Sequence, residues 1–108
     1  MNITHIVEAS KASNPLKALK SFLARNGETV DDGNTSYDIH VWGDQDLPEM
    51  IEISWSPDDN EITVTLYNSK NDEVDHESVM IQRDQISSNE MAQALKIVRR
   101  MFRSAELK

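Results

Sequence analysis

The sequence predicts an α+β fold: a four-stranded antiparallel β-meander flanked by N- and C-terminal helices packed on one face (α-β-β-β-β-α). Three observations predict it. Two stretches, residues 14–26 and 87–105, repeat apolar residues at helical spacing. Four stretches between them alternate apolar with polar residues, the period of a half-buried strand. The links between those four are short and rich in Asn, Asp, Gly and Pro, so successive strands should be antiparallel neighbours.

Residues 1–13 read as an N-terminal arm or a short helix, with Ile3, Ile6 and Val7 available to dock on the core. The first clear helix begins at Asn14-Pro15. Asn14 can cap the orphan N–H groups, and Pro15 at the first helical position forfeits no needed hydrogen bond. Leu16, Leu19, Phe22 and Leu23 form its apolar stripe, and Arg25-Asn26-Gly27 is a basic last turn followed by a left-handed stop.

In the four strands Tyr37, Ile39 and Val41 alternate with Asp38, His40 and Trp42. Ile51, Ile53 and Trp55 alternate with Glu52, Ser54 and Ser56. Ile62, Val64 and Leu66 alternate with Glu61, Thr63, Thr65 and Tyr67, and Val79 and Ile81 with Ser78, Met80 and Gln82. Gly43-Asp44 with Pro48, Pro57 to Asn60 and Asn68 to Asp72 supply the turns. Ser87 with Glu90 three residues on forms a capping box for the closing helix. Met91, Leu95, Val98, Phe102 and Ala105 line one side of that helix, and Lys96, Arg99, Arg100 and Arg103 crowd the other. One apolar face per strand and one stripe per helix bring both helices to the same side of the sheet.

A chain of 108 residues is expected to form a single domain over 1–108, with one core and about two-thirds of its surface buried. The absence of cysteine excludes disulfides, thiolate metal sites and a Cys nucleophile. No apolar run approaches the roughly 18–20 residues of a membrane span, and the N-terminus has no signal-peptide core, so a cytoplasmic protein is expected.

Charge is strongly segregated. Residues 1–26 carry a net +3, residues 27–79 a net −14 and residues 80–108 a net +3. An acidic sheet between basic helices repels phosphate, which argues against direct nucleic-acid or anionic-membrane binding and favours a cationic partner. On the helix, the basic stripe can compensate the dipole and pair with acids of the sheet.

The sheet face away from the helices is the candidate site. Alternation places Asp38, His40, Trp42, Glu52, Thr63, Thr65, Tyr67 and Met80 there, and aromatic and carboxylate side chains on a solvated sheet resemble a protein-binding patch. Asp38, Glu52 and Glu61 are the carboxylates that would mimic phosphates if the face imitated DNA. The partner-binding residues are therefore Asp38, His40, Trp42, Glu52, Glu61 and Tyr67. Asp38 two residues before His40 could orient an imidazole for general-base work, but no nucleophile elbow or phosphate loop accompanies the pair.

Asp72, Glu73, Asp75, His76 and Glu77 form the densest acidic cluster, without the spacing of a calcium loop, and read as a solvated hairpin loop. In element order and charge alone the chain resembles the frataxins, and in size and charge the small acidic secretion chaperones, which usually carry a helix within the strand series. Ile6-Val7-Glu8-Ala9 resembles the site cut by prohead proteases of large tailed phages, which implies cleavage after Glu8 and a packaged internal head protein.

The function expected is non-catalytic: a small acidic binding or regulatory protein that engages a protein partner, basic or DNA-binding, through its acidic sheet face, with a DNA-mimic inhibitor as the strong form. Alternatives are a homodimeric, chaperone-like assembly protein built on Trp42, Tyr67 and Met80, and the phage head protein. A metal-binding protein or an enzyme using His40 or residues 72–77 ranks below these. No catalytic residue, cofactor or metal site is expected.

Overall fold

A computed structural model describes residues 13–43 and 49–106 of the chain. The N-terminal arm, with the Ile6 to Ala9 motif, and the Asp44 to Pro48 part of one turn lie outside the described residues. Two helices and five strands are described: α1 (Leu16–Arg25), β1 (Thr29–Asp32), β2 (Asp38–Trp42), β3 (Met50–Ser56), β4 (Glu61–Tyr67), β5 (Glu73–Met80) and α2 (Ser88–Glu106). The strands form one antiparallel meander in the order β1-β2-β3-β4-β5. The α+β class and the meander agree with the expectation, while the sheet has five strands where four were expected.

The additional strand, β1, has the sequence Thr-Val-Asp-Asp. It carries a single apolar residue and so no alternation, and its order comes from pairing with β2, Thr29 opposite Trp42 through Asp32 opposite Ile39. Lys20 of α1 ties it down through a 2.9 Å ion pair to Asp32. The last strand is also longer than expected. Residues 73–77 belong to β5, not to a solvated loop, and the hairpin is confined to Asn68–Asp72, where the Asn68 side chain accepts the N–H groups of Lys70 and Asp72. Acidic residues can occupy this strand because Asp75 and Glu77, on its helix side, are met by Arg100 of α2.

Both helix boundaries follow from their end chemistry. Asn14 accepts the Leu16 N–H at 2.9 Å, and the Pro15 carbonyl accepts that of Leu19. At the other end of α1, Gly27 takes φ +93°. Its N–H bonds the Ala24 carbonyl while that of Glu28 bonds Leu23, the paired bonds of a Schellman stop. The α2 capping box forms in both directions: Glu90 N–H donates to Ser87 Oγ and Ser87 N–H to Glu90 Oε1.

The core lies between the helices and one sheet face. Leu19 and Leu23 of α1 and Ala94, Val98 and Met101 of α2 meet Val41, Ile51, Ile53, Ile62 and Val64, all sealed from solvent. The buried stripe of α2 is centred on Ala94, Val98 and Met101, with Met91, Phe102 and Ala105 at its margin. Truncating one of the larger of these to Ala costs about 2–5 kcal/mol. Helices on one side leave the opposite sheet face free of both.

Candidate functional site

Strand register assembles the open face. Asp31, His40, Glu52, Thr65 and His76 form one cross-strand row through all five strands. Thr29, Trp42, Met50, Tyr67 and Glu73 form the next. Asp38, Ser54, Thr63 and Ser78 lie on the other side of the His40 row, and Ser56, Glu61 and Met80 beyond them. All six residues assigned to partner binding share this face. Trp42 and Met80 remain 41% and 52% exposed. Among the described residues, no Lys or Arg occupies these rows.

Asp38, His40 and Glu52 come together at the middle. Asp38 and His40 project from the same side of β2, and Glu52 is the register partner of His40 on β3. His40 Nε2 lies 3.4 Å from Asp38 Oδ2 and 4.0 Å from Glu52 Oε2. Asp38 is buried, and its carboxylate is held by a loop. Oδ1 accepts the Thr35 N–H and hydroxyl at 2.8 Å each, and Oδ2 the Asn34 N–H at 3.2 Å. Gly33 allows that loop to close, since a Cβ there would strike the Asp38 carboxylate. The ring of His40 meets Trp42 edge-on at 5.9 Å, and the Trp42 indole N–H donates to Asp31 at 3.0 Å.

The two carboxylates differ electrostatically. Burial pushes the Asp38 carboxyl up, but hydrogen bonds from Thr35 and Asn34, with His40 nearby, outweigh it and hold the group below its usual range. Glu52 is pushed above its usual range by burial and by the Asp38 charge, which His40 only partly offsets. Burial and the charges of Glu52 and Glu73 likewise raise the Tyr67 phenol.

Glu61 is on the correct face but at the far end, opposite Ser56 and Met80. Asp38, Glu52 and Glu61 therefore lie in three separate rows. The 72–77 cluster is divided by the sheet. A bulge at Val74 puts Glu73 opposite Tyr67 and Asp75 opposite Leu66. Glu73 and His76 then share the open side, 3.0 Å apart, while Asp75 and Glu77 turn to Arg100. Sequence reasoning missed Asp31, Met50, Glu73 and His76 as members of this face, since the first depends on the unrecognised β1 and the last two on the length and bulge of β5.

No family model, curated protein or solved structure matches the chain. No helix among the described residues is long and apolar enough to cross a membrane.

Proposed function

We propose that the chain is a non-catalytic binding protein of the cytoplasm whose open sheet face engages a basic protein partner. The observation that carries this reading is the unequal compensation of charge on the two sides of the sheet. On the helix side, acids meet bases: Asp32 with Lys20, Glu28 with Arg99, and Asp75 and Glu77 with Arg100. On the open side, Asp31, Asp38, Glu52, Glu61 and Glu73 have no Lys or Arg partner among the described residues, and the only basic side chains in their rows are the histidines His40 and His76.

Trp42, Met50 and Tyr67, neighbours in one cross-strand row, supply the apolar area that an interface core requires, with Met80 at the far end of the face, and the acids around them steer a cationic partner and fix its register. The bond from the Trp42 indole to Asp31 holds that ring in place before binding, which reduces the ordering cost of an aromatic anchor. In the narrower form, a DNA-mimic inhibitor, the acids would stand in for phosphates. Exposed Asp31 and Glu73 with half-buried Glu61 suit that role better than Asp38, whose oxygens are already engaged.

Parallel affinity capture tests the reading. The baits are the wild-type chain, the sheet-face variant Trp42→Ala/Glu61→Lys/Glu73→Lys and the helix-face variant Lys96→Glu/Arg103→Glu. Basic proteins should be retained by the wild type and by the helix-face variant, released by added salt, and lost from the sheet-face variant. Equal retention by all three, or loss only from the helix-face variant, overturns it.

A further inference from the structure

We propose that Asp38, His40 and Glu52 form a binding site for a divalent transition-metal ion, with zinc the ion best suited to the donors. The observation is geometric and independent of partner binding. One ligand atom from each of the three residues lies within 4.8 Å of the other two. Four-coordinate zinc with nitrogen and oxygen ligands at about 2.0–2.2 Å has ligand–ligand edges of roughly 3.3–3.6 Å. The edge from His40 to Asp38 is 3.4 Å. The edge to Glu52 is 4.0 Å, about half an ångström from closing. Glu52 is the more exposed of the two carboxylates and can make that adjustment by rotating its side chain.

The imidazole gives a second reason. His40 Nε2 is closed to solvent and has no hydrogen-bond partner among the described residues, although two carboxylates face it. A protonated Nε2 would be expected to close onto a carboxylate at about 2.7–2.9 Å. A lone pair there would face only acceptors. A cation among the three satisfies all of them, and two carboxylates with a neutral imidazole neutralise a divalent charge.

Asp38 is also oriented as metal ligands commonly are. The N–H groups of Asn34 and Thr35 and the Thr35 hydroxyl fix its carboxylate, and the closeness of Gly33 keeps that loop in place. An imidazole in the donor set favours zinc and its neighbours over calcium or magnesium, which prefer oxygen alone. The protein supplies three donors, and water would complete the coordination.

The test is titration of the purified, chelator-treated full chain with Zn²⁺, with Co²⁺ as a spectroscopic probe and Mg²⁺ and Ca²⁺ as comparators. The expected result is one Zn²⁺ per chain at micromolar affinity or tighter, visible Co²⁺ absorption bands typical of low coordination number, and a zinc-dependent rise in the unfolding midpoint. His40→Gln and Glu52→Gln should each weaken zinc binding about tenfold or more. His5→Gln and the double change Glu73→Gln/His76→Gln should leave it unchanged. Circular dichroism of the variants distinguishes loss of a ligand from loss of the fold, and the Co²⁺ spectrum of the wild type needs no variant. The absence of saturable Zn²⁺ binding, or binding lost with His76 or His5 but retained without His40, overturns the proposal.

Discussion

Glu90 is buried at the joint between β5 and α2, where its two carboxylate oxygens serve different partners. One accepts the N–H of Ser87 to complete the capping box, and the other accepts that of Gln82 at 2.8 Å, just past the strand. Burial alone would raise its pKa, but those backbone donors, the Ser87 side chain and Arg83 outweigh burial and lower it. A carboxyl whose folded pKa is depressed contributes stability above its unfolded value of about 4.3, and that contribution is lost as pH falls through the folded value. Glu90→Gln should therefore cost about 1–2 kcal/mol at pH 7 in urea unfolding, and the stability of the variant should fall less steeply than that of the wild type below about pH 5. Equal midpoints at pH 7 would contradict this account of the joint. Glu52 has the opposite sign. Its raised pKa gives a stabilising contribution present below the unfolded value and lost as pH rises through the folded one, so Glu52 counteracts acid unfolding while Asp38 beside it, with a lowered pKa, acts in the same sense as Glu90.

Among the elements, β5 shows how a strand can be specified by its neighbours. Of its apolar residues only Val79, with Ile81 just beyond its end, is buried, while positions 75 and 77, which face the helices, are acids. Arg100 pairs with both from α2. That ion pair is half-exposed, so Arg100→Ala should lower global stability by no more than about 1 kcal/mol. Its local effect should be larger: amide exchange should accelerate in residues 73–77 of β5 relative to Val79. Uniform exchange along β5 in the variant would separate the strand's order from Arg100. The same elements explain what was legible in the sequence. Helices α1 and α2 announced themselves through capping residues and apolar stripes, and β3 and β4 through unbroken alternation. Strand β1, with Val30 as its single apolar residue, and the acidic half of β5 did not, because tertiary partners hold them. The proximity of Asp38 to His40 follows from their spacing on one strand. The arrival of Glu52 beside them depends on the β2–β3 register, which no local pattern specifies.

At the scale of the molecule, the charge segregation visible along the chain becomes a two-sided object. Lys20 of α1 and Arg99 and Arg100 of α2 pair with acids on their own side of the sheet. Those acids account for part of the negative middle segment, a second part, Asp31, Asp38, Glu52, Glu61 and Glu73, lies on the open face, where we propose that a partner binds, and others occupy turns. The arrangement separates a stabilised helix layer from a surface that can vary without disturbing the core, since exposed residues such as Trp42 and Met80 make no contribution to the buried cluster.

The most direct test of this central claim is the footprint of a partner recovered by the capture comparison. Backbone amide shifts of the isotopically labelled chain would be followed as that protein is added. The account predicts that the perturbed amides map to Trp42, Glu52, Glu61, Tyr67 and His76, and that the effect diminishes in high salt. A footprint confined to α1 and α2, with the sheet amides unmoved, would contradict it.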